Sequence, residues 1–216
     1  MIQCKQLHKR YDGRDRVLED LSCSFPQGSL SLLYGRSGSG KTTLLNCISG
    51  VEAVQSGEIV VKGTRLNDLN DDQKADFRLR HIGIIYQFFN LLPSLTVEEN
   101  ILLPAMILKK NQINYLHELA ERFEISKLLT KWPATLSGGE CQRVAICRAL
   151  ICKPSLILAD EPTGNLDIRN RDIVMNYLKD LTQSQDLSLI IATHDQELHA
   201  FSDSIWSLRS GQLQPI

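Results

Sequence analysis

Gly35-Arg36-Ser37-Gly38-Ser39-Gly40-Lys41-Thr42-Thr43 has the residue types and spacing needed to grip a chain of phosphates. The stretch fits G-x-x-x-x-G-K-[ST], in which glycines let the backbone turn tightly and come close to an anion without a Cβ in the way. Successive backbone N–H groups then form a concave anion-binding nest. Lys41 supplies a flexible positive charge for the β- and γ-phosphates, and the Thr42 hydroxyl is suited to Mg²⁺. The flanks agree with this chemistry. The apolar run Leu30 to Tyr34 reads as a strand entering the turn. Thr43 to Ile48 reads as a helix leaving it and stopped by Gly50, so a positive helix end adds to the phosphate site.

Further polar residues stand immediately after apolar runs. Ile82 to Tyr86 leads into Gln87, Ser155 to Ala159 into Asp160-Glu161, and Leu187 to Thr193 into His194-Asp195. Near-continuous apolar strands separated by helices imply a parallel sheet covered on both faces. Ligands of such sheets bind outside the carboxyl ends of the strands. If these strands run parallel to Leu30–Tyr34, then Gln87, Asp160, Glu161 and His194 line the same edge as the phosphate loop.

The remaining elements frame that sheet. Residues 2–25 alternate loosely and predict short antiparallel strands around a turn at Asp12-Gly13. Tyr11 sits beside that turn, and from spacing alone it reads as a packing aromatic. Gly57 to Val61 and Lys62-Gly63-Thr64 predict a strand and turn, and Asp68 to Arg80 a solvated charged helix. Between Phe88 and Ile151 the pattern turns helical. Thr96 to Leu108, and Ile113, Leu116, Leu119, Ala120 and Phe123, follow helix spacing. This predicts a helical subdomain over about residues 88–152, inserted in one domain of 216 residues.

Inside that insert, Leu136-Ser137-Gly138-Gly139-Glu140 opens a helix running to about Cys152. Ser137 and Glu140 form a capping box, S-x-x-E. The cap does not account for two glycines in the first turn, each costing roughly 0.5–1 kcal/mol relative to Ala. Bare backbone at a helix N-terminus suits close approach by a phosphate. One chain already has its phosphate loop, so the economical arrangement is a two-fold dimer in which each copy presents this helix end to the other's nucleotide.

Composition narrows the classes. Lys and Arg number 24 against 25 Asp and Glu, so no pervasive basic surface points to nucleic acid. Met1 to Lys5 lacks the apolar core of a signal peptide, and no apolar run approaches a membrane span. The expectation is no direct membrane insertion, with membrane association through another subunit. The six cysteines, Cys4, Cys23, Cys47, Cys141, Cys147 and Cys152, are scattered without metal spacing and read as reduced thiols. Cys141, in the first turns of a helix, is the candidate for a lowered thiol pKa and the fastest reaction, with an inert buried thiol as the alternative.

Taken together, these motifs resemble the ATP-binding cassette (ABC) ATPases along essentially the whole chain. Gly35 to Thr42 resembles the Walker A loop, Gln87 the Q-loop glutamine, and Leu136 to Glu140 the L-S-G-G-[QE] signature. Leu156 to Asp160 resembles Walker B, Glu161 the catalytic glutamate, Asn165-Leu166-Asp167 the D-loop and His194 the switch histidine. The resemblance makes Tyr11 the base-stacking aromatic, against its reading from spacing alone. A narrower likeness, carried by Tyr86 to Pro93, Leu95 to Asn100 and Leu158 to Asp167, is to the ATPases of lipoprotein-release, macrolide- and peptide-export and FtsE-type systems. Cys141, Cys147 and Arg36 depart from the family's usual residues without removing a catalytic group.

The resemblance implies an α/β fold: a P-loop NTPase core with a mainly parallel sheet, an N-terminal antiparallel β subdomain and an inserted helical subdomain. It implies ATP and Mg²⁺ as cofactors. All of Gly35 to Thr43, with Tyr11, Gln87, Ser137, Gly138, Gly139, Glu140 and Asp167, would contact ATP; Thr42, Gln87 and Asp160 would hold the metal; Glu161, His194 and Lys41 would be catalytic. Two copies would dimerise around two ATP molecules and drive a separate transmembrane permease from the cytoplasmic face of the inner membrane, with the permease docking near Gln87 to Asn100. Phe88 and Phe89 there read equally as core or surface. The competing class is a soluble ABC ATPase acting on nucleic acid or ribosomes, which predicts coiled coils, a tandem cassette or a basic patch. The sequence has neither a long coiled coil nor a tandem cassette.

Overall fold

The computed structural model describes residues 1–11, 16–184 and 187–216. The turn expected at Asp12-Gly13 lies outside the described residues.

Five parallel strands make the centre of the molecule. They are β3 (Leu30–Tyr34), β6 (Ile82–Ile85), β7 (Leu156–Asp160), β8 (Ser188–Thr193) and β9 (Ser204–Arg209), in the order β9-β3-β8-β7-β6. A sixth strand, β10 (Gln212–Pro215), pairs antiparallel with β9 at the edge. The period-two alternation of the strands splits their side chains between two apolar clusters. Leu30, Leu32, Ile157, Ala159, Leu189 and Ile191 face one cluster, and Leu33, Leu156, Leu158, Ile190 and Ala192 the other. Both faces are therefore buried, which is why these strands read as uninterrupted apolar runs.

The second cluster is closed by an antiparallel sheet in the order β2-β1-β4-β5, built from β1 (Ile2–Arg10), β2 (Arg16–Phe25), β4 (Ser56–Val61) and β5 (Thr64–Arg65). β1 and β2 are longer than the short strands expected. Their alternation is loose because the ladder shifts register between Cys4 and Leu7 and again on either side of Lys9. Gln6 and Asp20 take left-handed backbone there, at φ 48° and 47°, as irregular pairing demands.

Six α-helices are found among the described residues: α1 (Lys41–Ile48), α2 (Asp71–His81), α3 (Val97–Ile107), α4 (Ile113–Arg122), α5 (Gly138–Leu150) and α6 (Ile168–Ser184). α2 buries no residue, in keeping with its charged sequence, and Asn70 and Gln73 cap it reciprocally. α3, α4 and α5 fall between β6 and β7 in the chain and contribute to the first cluster. Gly83 marks how closely α5 lies on β6. A Cβ at Gly83 would stand 2.4 Å from the Ala149 carbonyl oxygen, so any side chain would push the helix away.

The β9–β10 hairpin had no counterpart among the expected strands. Its sequence is short and mixed, and its signal is the turn: Ser210 and Gly211 both take positive φ, 48° and 76°, as a tight hairpin turn requires. The turn is pinned to β2, with the Glu19 N–H donating to the Gly211 oxygen at 3.0 Å.

Candidate functional site

The phosphate loop joins β3 to α1. Gly40 is the N-cap of α1, at φ 102°, and offers no side chain to the first helical N–H groups. A helix end without a side-chain cap leaves donors pointing outward, the arrangement an anion needs. Lys41 is 8% exposed and folds back along the loop, its Nζ donating to the Gly35 oxygen at 2.8 Å and the Arg36 oxygen at 3.2 Å. The lysine expected to serve phosphate alone therefore also holds the loop's own carbonyls.

The parallel topology brings the other predicted groups to this edge. Asp160 closes β7, and its Oδ2 accepts from the Thr42 hydroxyl at 2.5 Å. Burial pushes the Asp160 carboxyl above the usual carboxylate range, Thr42 works against that shift, and Glu161 adds to it. Glu161 follows with left-handed backbone, φ 47°, while its N–H donates across to the Ala192 oxygen at 2.9 Å. Such a conformation is uncommon for a residue with a Cβ and persists only where the surroundings impose it. Here it turns the carboxylate toward the end of β8. Its Oε1 lies 2.6 Å from His194 Nδ1 and 3.1 Å from the His194 N–H, and its Oε2 accepts from the Thr193 hydroxyl at 3.1 Å. His194 itself is largely exposed. Thr193 was missed in the sequence because it reads as the last residue of an apolar strand; its place directly before His194 was the available signal.

Gln87 follows β6 in a turn and is exposed. Phe88, beside it, is 80% exposed. Phe89 is half-buried near the signature, its ring tip 3.9 Å from where a Cβ on Gly138 would stand. The turn is braced by Arg148, which donates to the Phe89 and Asn90 oxygens at 2.6 Å each.

Ser137 caps α5 as the sequence suggests. Its N–H and hydroxyl donate to Glu140 Oε2 at 2.7 and 2.8 Å, and the Glu140 N–H donates back to Ser137 Oγ at 3.3 Å. Those bonds, from the Ser137 N–H and then its hydroxyl, hold the Glu140 carboxyl below its ordinary range. The two glycines differ. A Cβ on Gly139 would meet the Asn165 oxygen at 3.3 Å, so packing within the chain disfavours a side chain there; on Gly138 it would find only ordinary contacts, from 3.8 Å outward. The open glycine is Gly138. Asp167 caps α6, its Oδ1 accepting from the Asn170 N–H at 2.8 Å. Those bonds lower its carboxyl pKa.

Of the two readings of Cys141, its surroundings favour the buried, inert thiol. It is 9% exposed, and burial followed by the neighbouring Glu140 charge raises its thiol pKa, while its own backbone N–H opposes the rise and loses. The helix end is not enough to activate a sulfur turned inward.

Tyr11 stands against the start of α1. Its hydroxyl lies 3.3 Å from Thr43 Oγ1 and donates to Glu52 Oε2 at 2.5 Å. Its ring is partly exposed. Glu52 was not singled out in the sequence, since nothing in the run Val51-Glu52-Ala53 sets it apart from a surface carboxylate.

Residues 18–164 match the family model described as ABC transporter. The chain belongs to the ABC transporter family. It is 42% identical, over 205 residues covering 94% of this chain and 83% of the relative, to an ABC transporter ATP-binding protein of Mycobacterium tuberculosis. To the lipoprotein-releasing system ATP-binding protein LolD of Colwellia psychrerythraea it is 38% identical, over 100% of this chain and 86% of the relative. Among solved structures, the ATP-binding cassette MJ0796, in a dimeric post-hydrolysis state bound to ADP and Pi, superimposes with a TM-score of 0.94 at 32% identity, covering 99% of this chain and 97% of that one. The fold is the ABC ATPase cassette, and the chain is an ATP-binding and ATP-hydrolysing subunit of an ABC transporter.

The donor set at Thr42 and Asp160 is a hydroxyl and a carboxylate 2.5 Å apart. Hard oxygens in such small number suit Mg²⁺, which keeps most of its shell for water and phosphate. Among the described residues no group of three or more His, Cys, Asp and Glu side chains comes together as a metal cluster.

Proposed function

We propose that the chain is the motor of a lipoprotein-release or macrolide-export type system: two copies close on two ATP molecules, and a separate transmembrane permease reads the closing. The observation that carries this is Glu161, held at the carboxyl end of β7 between Thr193 and His194, beside the Asp160–Thr42 pair and the loop of Lys41. A carboxylate there is set to orient and polarise a water against a phosphate lying on the loop. Phosphoryl transfer asks mainly for positioning and charge stabilisation, and these groups supply both.

In this reading the N–H groups of Gly35 to Thr43 and Lys41 take the phosphates, Lys41 leaving the Gly35 and Arg36 carbonyls to do so. Thr42, Asp160 and Gln87 would hold Mg²⁺, which when bound would neutralise phosphate charge. His194, already bonded to Glu161, contacts the γ-phosphate. Tyr11 stacks on the base. Ser137, Gly138, Gly139 and Glu140, with Asp167, meet the nucleotide of the facing copy, a role supported by the dimeric form of the MJ0796 cassette. One domain, residues 1–216, carries all of this, with the helical subdomain spanning approximately 88–152.

The permease docks beside the Q-loop. A groove of about 350 Å³ opens there between α2, β6, α3 and α5, lined by Leu79, Ile84, Tyr86, Pro104 and Arg148 among others, and Phe88, two residues beyond Tyr86, is exposed. No helix among the described residues is long and apolar enough to cross a membrane, so the peripheral position on the cytoplasmic face of the inner membrane comes from that partner. The test is recovery of the chain from detergent-solubilised membranes with its permease, for wild type and Phe88→Asp. Co-purification that the substitution abolishes supports the docking. Recovery with ribosomes or nucleic acid in place of a membrane subunit overturns the transporter reading.

A further inference from the structure

Tyr11 is not a free aromatic waiting for a base. Its hydroxyl has two partners: Thr43 Oγ1, in the first turn of the helix that follows the phosphate loop, and the carboxylate of Glu52, beyond the end of that helix. Glu52 is itself fully held. Its Oε1 accepts from Asn46 Nδ2 at 3.1 Å, and its Oε2 pairs with Lys9 Nζ at 3.1 Å. Lys9 in turn donates to the Ala53 oxygen at 2.8 Å and places its ammonium 5.0 Å from the centre of the Tyr11 ring. One face of the ring is thus covered by a cation that is itself fixed, and a stacking partner must take the other.

These contacts join three segments. Lys9 and Tyr11 come from β1 and the residue following it, Thr43 and Asn46 from α1, and Glu52 from the segment after α1. The tyrosine's position is consequently fixed relative to the helix that presents the phosphate loop. Resting on the reading of Tyr11 as the base-stacking aromatic, we infer that Glu52, clamped by Lys9 and Asn46, is a positioning residue for base recognition: it holds the Tyr11 ring preorganised above the phosphate site. Ordering a side chain before the ligand arrives removes that cost from binding. Because Glu52 acts through Tyr11 and not on the phosphates, its loss is felt by a ligand with a base and not by one without.

The probes are Mg-ATP and inorganic tripolyphosphate with Mg²⁺, titrated against the folded full chain. Glu52→Met keeps the side chain's length and removes every acceptor; ATP affinity is expected to fall about two- to tenfold, the cost of ordering one side chain on binding, with tripolyphosphate affinity at the wild-type value. Tyr11→Phe removes the same hydrogen bond from the other side and should reproduce the loss, so the test survives if Glu52→Met does not fold. The double substitution should be no weaker than the worse single one, and Glu52→Gln, which keeps one acceptor, should fall between wild type and Glu52→Met. Equal loss of ATP and tripolyphosphate in Glu52→Met overturns the inference, because Glu52 would then act on the phosphate loop. Wild-type ATP affinity in both Glu52→Met and Tyr11→Phe, with weak binding by Tyr11→Ala, also overturns it and leaves base stacking standing. Wild-type ATP affinity in Tyr11→Ala removes the base-stacking reading and this inference with it.

Discussion

The two halves of the proposed ATP site are built in opposite ways. The strand-edge half gathers Lys41, Thr42, Asp160, Glu161, Thr193 and His194 from segments far apart in the chain, and the parallel sheet alone makes them neighbours. The signature half is a helix cap of four consecutive residues, complete within its own turn. In both, the groups proposed to meet the ligand are bonded within the protein: Lys41 to loop carbonyls, Thr42 to Asp160, Glu161 to His194, Ser137 to Glu140. In the proposed reading, nucleotide binding exchanges these bonds for others. The difference lies in what those bonds do for the fold. At the strand edge they tie side chains whose backbone is set by the sheet, so substitutions there should cost chemistry more than stability. At the signature they hold a helix end, so substitutions there should cost both.

The largest effect tests the strand-edge half. Glu161→Gln keeps the side chain's size and can still meet Thr193 and His194, but it removes the carboxylate. Hydrolysis should fall by at least about a hundredfold, in the range lost with a general base, while ATP still binds. Steady-state phosphate release gives the rate, and light scattering with Mg-ATP should find the closed dimer accumulating, alone or with the permease. Turnover at the wild-type rate would break the comparison at its root.

Next comes Lys41→Ala. Losing a charged donor to the phosphates should weaken ATP about tenfold to a hundredfold, given roughly 1.5–3 kcal/mol for bonds to charged groups. Because Lys41 also satisfies the Gly35 and Arg36 carbonyls, a small drop in stability measured without nucleotide is expected too, about 1 kcal/mol. Nucleotide titration and chemical denaturation measure the two separately. An apo loss larger than the binding loss would place Lys41 with the structural residues and blur the contrast drawn above.

Much of this contrast was legible in the sequence, and the exceptions have physical causes. Gln87, Asp160, Glu161 and His194 could be placed on one edge because strands buried on both faces leave apolar runs, and the polar residue after each run marks its carboxyl end. The capping box was legible because it is local. Cys141 was left between two readings because a helix end acts over one turn and is read from neighbours in sequence, whereas the burial that decides against it depends on packing. The β9–β10 hairpin escaped because its strands are short, and β9 mixes Ser and Arg among its apolar residues. Glu52 and Thr193 escaped for a different reason. Their roles consist of contacts with residues distant in the chain, Tyr11 and Glu161, and no local pattern encodes those.

Two substitutions at Ser137 sharpen the signature half. Ser137→Ala removes the cap acceptor and should cost about 1 kcal/mol, whereas Ser137→Gly should cost only a few tenths. Both remove the hydroxyl proposed to meet the partner's nucleotide, so both should weaken the ATP-dependent dimer of the Glu161→Gln chain by similar factors. Denaturation midpoints should separate the two variants, and light scattering should not. If the dimer tracks the denaturation midpoint instead, the signature acts only as a cap.

The smallest expected effect concerns the cysteine that follows the signature. If the α5 end governed its sulfur, Cys141 would be the fastest of the thiols to react and would be shielded when a nucleotide arrived. Its surroundings argue otherwise: the side chain is 9% exposed, burial raises the thiol pKa, and the Glu140 carboxylate raises it further. Attack requires the thiolate, so a raised pKa lowers the reactive fraction at neutral pH. The sign of the pH response follows. Labelling of Cys141 should keep climbing as pH rises through and beyond the ordinary thiol range, because its proton is retained longer than usual. Cys23, the one cysteine that is not buried, should label first in a brief alkylation read by mass spectrometry, and Mg-ATP should leave that order unchanged. Fastest labelling at Cys141 with protection by Mg-ATP would mean the helix end outweighs burial after all, and would make this sulfur a reporter of the closed dimer.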